Sequence, residues 1–368
     1  MRIAFFFWSL ELGGVEHMIT NLSRELVNRG HDITIVLARD PQPNEYTPDP
    51  RVKVIRLGIP STGKLIWKFA QHLRAAKYDL VYTAMPTTNV AAIIALKLSG
   101  AKTRLVISER SNPALEAQHS KTWRYRASFT LQPFLYPRAD AIVAVCKALA
   151  DELAEYARLP RERIRVIYNP AFDEDAFAEP QAETHPWLDD KTVPVIISAG
   201  RLAIQKDYGT LLRAFALLRK KRPARLLILG EGPQRTELEA LIAELGIKDD
   251  VDLPGFRNNI SAYLSKADIF ALSSIWEGFG NVLVQALAAR CSIVTTDCRN
   301  GPGEIVDGGK YGALVPVGDA EAFAAALDRV LDNPFDPDAQ FERAQLFSVR
   351  RSSDTYENLF DTLVRKSA

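Results

Sequence analysis

The stretch "SSIWEGFGNVLVQALAARC" concentrates chemistry in this 368-residue chain. An apolar run leads into Glu277, which stands in the Gly-flanked turn Glu277-Gly278-Phe279-Gly280. A helix opens at Asn281, with its first backbone N–H groups free to meet a ligand. That helix reads as apolar almost all round, so it is expected to be buried, and Gln285 on its second turn then needs hydrogen-bond partners. A ligand diol supplies them, and so does a neighbouring backbone group; from this residue alone both readings stand.

A second turn, "SAGRLAIQKDYGTLL", sets Arg201 directly after Gly200 and Lys206 just before a helix. A planar guanidinium and a point-charge ammonium suit a diphosphate, although two solvated surface charges give the same sequence. The first strand ends in "LELGGVEHM", so Gly13 and Gly14 open the first helix, as an anion site at a helix N-terminus or as a plain tight turn. "LILGEGPQR" places Glu231 between two glycines, and "DLPGFRNNI" carries Phe256 and Arg257. Glycines at these turns suggest a flat ligand lying close to the backbone, a base resting on Phe256 or bonding main-chain atoms near Arg257. Each loop taken singly reads as a turn.

The elements that position these groups are short apolar runs, each followed by a helical pattern. "RIAFFF", "DITIVLA", "VKVIRL", "LVYTAM", "RLVISE", "AIVAVC" and "IRVIYN" fill the first half, and "PVIISAG", "RLLILG", "VDLPG", "IFALSS", "SIVTTD" and "GALVPV" the second. This alternation predicts an α/β protein with two doubly wound parallel sheets. A Pro- and acid-rich stretch places a hinge near residues 170–192, giving domains 1–170 and 171–349. Two such domains facing each other would bring the carboxyl ends of both sheets to one cleft, where open α/β sheets bind ligands. The last helix, about 350–368, carries an apolar stripe at Tyr356, Leu359, Phe360 and Leu363 that must dock somewhere.

Composition narrows the partners. With 47% hydrophobic residues, 25% charged residues and a net charge of +1, the chain has no global nucleic-acid signature. Residues 1–170 nevertheless hold 24 Lys and Arg against 15 Asp and Glu, and the remainder 22 against 30. The basic half interleaves cations with aromatics in "KLIWKFAQHLRAAK" and "SKTWRYRASFTLQPFLYPRAD", making Trp67, Trp123, Arg124 and Arg126 candidates for a patch on an anionic membrane surface. Core aromatics with solvated charges between them are the other reading. Cys146, Cys291 and Cys298 match no metal or redox spacing and fit a reducing compartment. The start "MRIAFFFWSLELGG" reads as a first strand rather than a signal peptide, and no apolar run approaches the ~20 residues of a membrane-spanning helix. Any membrane contact is expected to be peripheral, on the cytoplasmic side.

Together, "GGVE", "VIYNP", "GRLAIQKDY", "GEGP", "WEGFGNVLVQALA" and "TTDCRNGPGEIVDGGKYGALVP" resemble glycosyltransferase family 4 over essentially the whole chain. The resemblance implies the GT-B fold, with two facing Rossmann-like domains and a final helix crossing back to the first. It implies a retaining, metal-independent transferase without a cofactor, moving a hexose or N-acetylhexosamine from a nucleotide-sugar, UDP-linked for preference, to a glycan or lipid-linked saccharide. Residue by residue, it assigns Arg201 and Lys206 to the donor diphosphate with Gly14 on its other side, Glu277 to the donor sugar, and the backbone of Phe279, Gly280 and Asn281 to the sugar hydroxyls and phosphate. The family's second Glu, which grips the ribose hydroxyls, is replaced by Gln285. Where relatives carry a donor-site His, this chain has Glu109 and Arg110, with His119 further on; Arg110 is a candidate to steady a phosphate. An epimerase of the same shape, or a nucleotide-sugar binding protein without turnover, are the alternatives.

Overall fold

A computed structural model describes residues 1–11, 13–42, 45–59, 61–113, 123–174 and 184–365, apart from the side chains of residues 123 and 124. The chain divides into two compact units, Met1–Pro170 with Val349–Ala368, and Ala171–Ser348. Part of the stretch expected to act as a hinge, residues 175–183, lies outside the described residues, as does His119.

In the first unit seven strands form one sheet in the order β3-β2-β1-β4-β5-β6-β7. They are β1 (Arg2–Phe7), β2 (Asp32–Leu37), β3 (Lys53–Arg56), β4 (Leu80–Ala84), β5 (Arg104–Glu109), β6 (Ala141–Ala144) and β7 (Ile164–Val166). All neighbours run parallel, from Arg2 opposite Asp32 to Ala144 opposite Val166. Parallel strands are covered on both faces, which is why β1 reads as an unbroken apolar run and is buried from Ile3 to Phe7. The order reverses between β1 and β4, a switch point of the kind where open sheets receive ligands. Helix α1 (Gly14–Asn28) follows β1 and buries Met18, Ile19, Leu22 and Leu26. Helices α2 (Thr62–Ala76), α3 (Pro86–Ser99) and α4 (Trp123–Leu135) pack in succession, α2 on α3 and α3 on α4, and α5 (Lys147–Ala157) follows β6.

The second unit repeats the plan with β8 (Val195–Ala199), β9 (Arg225–Leu229), β10 (Val251–Gly255), β11 (Ile269–Leu272), β12 (Ser292–Thr296) and β13 (Ala313–Val315), in the order β10-β9-β8-β11-β12-β13. Its strands are also parallel, and its switch point lies between β8 and β11. Helix α6 (Tyr208–Arg219) follows β8, α7 (Arg235–Glu244) follows β9, α8 (Asn281–Ala288) follows β11 and α9 (Ala320–Asp332) follows β13.

The last helix, α10 (Val349–Arg365), belongs to the first unit. Its stripe docks as the spacing demands: Tyr356, Leu359 and Phe360 are buried in the core formed by Phe5, Phe7, Leu22, Ile35 and Tyr82, with Leu363 at its margin. Polar groups pin it as well. Arg110, expected to steady a phosphate, instead turns inward, where its guanidinium donates to the hydroxyl of Tyr82 at 2.5 Å, to that of Tyr356 at 3.3 Å, and to Asn169. A buried guanidinium loses its hydration, so these acceptors hold it where it is. Glu109, one residue earlier and on the opposite face, is also buried and accepts from Tyr136 and from Asn89.

At the helix surface Glu357 accepts from Arg29 at 2.8 Å and lies 2.8 Å from the His31 ring. Partial burial raises the Glu357 carboxyl, but Arg29 and His31 outweigh it and leave the group below its ordinary value. A carboxylate with a depressed folded pKa contributes stability that is present above its unfolded pKa and disappears as pH falls through the folded one. Glu357→Gln is therefore expected to cost about 1–2 kcal/mol at neutral pH, a partly solvated charge-assisted pair. The difference from wild type should shrink as pH falls through the depressed folded value; urea titrations at pH 7 and at a series of acid pH values check both statements.

Candidate active site

Four strand-end turns of the second unit, after β8, β9, β10 and β11, carry the donor-site candidates from Arg201 to Gln285. At the switch point, the turn after β8 supplies Lys206 and the turn after β11 supplies Glu277, and the two meet: Lys206 Nζ lies 2.6 Å from Glu277 Oε1. Their side chains are only 15% and 7% exposed, so this is an ion pair largely removed from water. The same carboxylate oxygen accepts from Ser274 Oγ at 2.6 Å. Glu277 Oε2 accepts no hydrogen bond among the described residues. The group assigned to the diphosphate and the group assigned to the sugar are thus partners.

The two turns are laced together by their backbones. Gln205 accepts from the Ile275 N–H at 2.8 Å through its carbonyl and donates its side-chain amide to the Trp276 carbonyl at 2.9 Å. Ser273 Oγ donates to the Lys206 carbonyl at 2.8 Å. Asp207, in the left-handed conformation, caps α6 by accepting from Thr210 N–H at 3.2 Å. Lys206 is therefore held from behind by a helix cap and from the side by the β11 turn. Neither Gln205 nor Ser274 stood out in the sequence, because a glutamine in a loop and a serine at a strand end fit any surface turn.

Arg201 is different. It is exposed and makes no ion pair or hydrogen bond among the described residues.

Glu231 is engaged by its own helix: Arg235 donates to it through Nε at 3.0 Å and Nη2 at 2.9 Å, and this fork holds the carboxyl below its ordinary value. Phe256 is half exposed, and Arg257 beside it donates to the Tyr263 hydroxyl at 3.1 Å. The glycines around them are explained first by the protein itself. A Cβ on Gly230 would stand 2.0 Å from the Gly200 carbonyl oxygen, and one on Gly232 would stand 2.3 Å from that of Leu202. These loops touch backbone to backbone, which is what the absence of a side chain permits.

Helix α8 departs from expectation. Leu283, Val284, Ala286, Leu287 and Ala288 are buried, but Asn281, Val282, Gln285 and Ala289 are only partly covered and share one face. Gln285 is thus half-buried rather than buried, and its amide makes no hydrogen bond among the described residues; a backbone partner, the structural alternative, is not there. Gly280 precedes the helix at φ +101°, and the Phe279 ring packs edge-on against Phe347 at 5.6 Å. Cys298 lies in the same neighbourhood, and burial, reinforced by the Glu277 charge, pushes its thiol up to about 12.

In the first unit, Gly13 and Gly14 begin α1 as read. Gly13 is covered by its own chain: a Cβ there would meet Glu16 Oε2 at 2.5 Å. Burial pushes the Glu16 carboxyl up, while its own backbone N–H and the Arg110 charge pull the other way. The end of the helix that would receive an anion thus already faces a carboxyl group, which the "GGVE" motif contained.

Two family models cover nearly the whole chain: "Glycosyltransferase Family 4" matches residues 12–173 and "Glycosyl transferases group 1" matches residues 181–346. The N-acetylgalactosamine-N,N'-diacetylbacillosaminyl-diphospho-undecaprenol 4-alpha-N-acetylgalactosaminyltransferase of Campylobacter jejuni is 30% identical over 341 residues, 90% of each chain. The chain belongs to glycosyltransferase family 4. Among solved structures, sucrose-phosphate synthase of Thermosynechococcus elongatus superposes with a TM-score of 0.81 at 21% identity, covering 100% of both chains. HepE of Anabaena in complex with UDP-glucose gives 0.79 at 22% identity, covering 98% of this chain and 100% of that one. At these identities the likeness is one of fold, the GT-B type.

In this family 4 glycosyltransferase the two cations are separable by stability. Lys206→Ala strips a buried carboxylate of its counterion and is expected to cost about 3 kcal/mol. Arg201→Ala removes an exposed side chain with no partner and should leave the denaturation midpoint unchanged. Chemical denaturation of the two variants checks the asymmetry, and equal losses would contradict it.

Proposed function

We propose that the protein is a retaining, metal-independent glycosyltransferase that moves a hexose or N-acetylhexosamine from a UDP-sugar to a lipid-linked saccharide at the cytoplasmic face of a membrane. The observation that carries the reading is the cationic switch-point edge, Arg201 unpartnered and Lys206 held on Glu277. The activity of the Campylobacter relative supports a lipid-linked acceptor, and the UDP-glucose held by HepE supports the donor class. On this reading the second unit takes the donor and the first the acceptor.

The bond between the anomeric carbon and the diphosphate oxygen breaks, and its electron pair leaves with the diphosphate. Arg201 and Lys206 meet the charge that develops there, as a divalent cation would. The acceptor hydroxyl oxygen bonds to the anomeric carbon from the face the diphosphate leaves, and its proton passes to a diphosphate oxygen, so configuration is retained. Glu277, tied through Oε1 to an ammonium and a hydroxyl, is a poor nucleophile; its role is to hold a sugar hydroxyl through Oε2. The half-buried Gln285 amide offers one donor and one acceptor to the ribose diol in place of the family carboxylate.

The test is a transfer assay with UDP-, GDP- and ADP-sugars and a synthetic undecaprenyl-diphosphate-linked saccharide, run in EDTA. An α-linked, elongated acceptor plus free UDP is expected, with rates ~10²–10³-fold lower for Arg201→Ala. An isomerised donor identifies an epimerase, donor binding without product identifies a sensor, and rescue by Mg²⁺ after EDTA rejects metal independence. In the same titration Gln285→Ala should weaken UDP by about 1–3 kcal/mol while Gln285→Glu binds it at least as well.

For the membrane, the first unit presents Trp67 at 60% and Phe134 at 66% exposure, with Lys64, Lys68 and Arg126 also exposed on α2 and α4. The side chains of Trp123 and Arg124 lie outside the described residues. Aromatics among cations fit an interface of anionic lipid. Binding to phosphatidylglycerol vesicles is expected to fall as salt rises and to be lost in a Lys64→Glu, Trp67→Ala, Lys68→Glu triple variant; salt-insensitive or absent binding would point to a soluble acceptor.

A further inference from the structure

Glu277 offers two oxygens, and the structure treats them unequally. Oε1 takes both Lys206 Nζ and Ser274 Oγ, each at 2.6 Å, and Oε2 takes nothing among the described residues. Ser274 is fully buried, so its hydroxyl has no water to turn to. Its backbone is fixed in turn: Thr296 Oγ1, on the neighbouring strand β12, donates to the Ser274 carbonyl at 2.6 Å. A lysine alone leaves a carboxylate free to rotate and swap oxygens under a flexible ammonium. A second donor, delivered from a rigid strand end to the same oxygen, removes that freedom.

We infer that Ser274 is a positioning residue of this transferase: by sharing Oε1 with Lys206, it fixes the Glu277 carboxylate so that Oε2 alone is presented to a hydroxyl of the donor sugar. The inference rests on the proposed role of Glu277 as the sugar-facing carboxylate. It separates two parts of the donor, since Ser274 acts on the sugar through Glu277 and has no path of its own to the nucleotide. The hydroxyl also explains how a lysine assigned to the diphosphate can be drawn partly away by a ligand without releasing the carboxylate. Ser274 keeps its hold on Oε1 when Lys206 turns to phosphate.

The experiment is a double-mutant cycle of Ser274→Ala and Glu277→Gln, read as kcat/KM for sugar transfer from the UDP-sugar used best by the wild type, alongside the inhibition constant of UDP. Ser274→Ala is expected to lower kcat/KM about tenfold, the loss of a hydrogen bond to a charged group, with UDP inhibition unchanged. In the Glu277→Gln background it should have almost no further effect, because the oxygen it orients is no longer a carboxylate's. Ser274→Cys, which keeps a weaker donor of similar size, should fall between Ser274→Ala and wild type, and serves if the alanine variant folds poorly. An equal loss for UDP and UDP-sugar, or additive losses in the cycle, would make Ser274 a structural residue only. Wild-type transfer by Glu277→Gln would overturn the role of Glu277 itself, and the inference with it, whereas a deleterious Glu277→Gln with a silent Ser274→Ala overturns the inference alone.

Discussion

The second unit is organised around one ion pair, Lys206 with Glu277, held at the point where the strand order reverses. Two charges removed this far from water are not a stabilising luxury: their desolvation offsets most of their mutual attraction, and a well-packed apolar pair in their place would serve stability as well or better. What the pair provides is a fixed field. Each member defines the other's position, and the loops that carry them are bound to each other by Gln205 and Ser273. On the proposed function, charge held in this way suits a reaction that expels an anion, because the loops and the carboxylate are already in place and only the Lys206 ammonium has still to move when the bond breaks.

The same edge shows why its loops are rich in glycine. Gly230 and Gly232 lie where the turn after β9 runs against the turn after β8, and Gly301, at φ +97°, lies where the turn after β12 runs against Phe279; a Cβ at any of them would overlap a carbonyl oxygen. Backbone contact between successive turns closes the end of the sheet into a continuous surface of amides and carbonyls. Exposed side chains such as Arg201 and Phe256 rise from it. Glycine spacing in the sequence reflects this assembly of the edge before it reflects any ligand.

The architecture was legible because parallel strands covered on both faces must be apolar runs, and each run named from the sequence, from "RIAFFF" to "GALVPV", is a strand. The docking of α10 was legible for the same reason: Tyr356, Leu359 and Phe360 repeat at helical spacing. Side-chain direction is not carried by such patterns. Arg110 and Glu109 are adjacent charges at a strand end where the resemblance places the donor site, yet alternation sends them to opposite faces of a sheet covered on both sides, where Tyr82 and Tyr356 receive the one and Tyr136 the other. Helix α8 was misread in the opposite sense. Its composition says buried on every side, but the positions left partly open, Asn281, Val282, Gln285 and Ala289, form a stripe whose polarity is too slight to show in the sequence.

The unequal treatment of the two cations follows from charge counting. With Arg201 making no ion pair among the described residues and Lys206 neutralised by Glu277, these three side chains together carry the charge of a single cation, which on the proposed function attracts a diphosphate without two free cations repelling each other. On the proposed function, the diphosphate gains a negative charge when its bond to the sugar breaks, and Lys206 can then turn toward it while Ser274 retains the carboxylate. The interaction with the leaving group therefore strengthens as the reaction proceeds, and only interactions that strengthen toward the transition state accelerate the chemical step. A pair of free cations would bind substrate and product alike more tightly and hold the nucleoside diphosphate after transfer. On the same reading, returning Lys206 to Glu277 gives the enzyme a competing partner for its own product, and a physical route to release it.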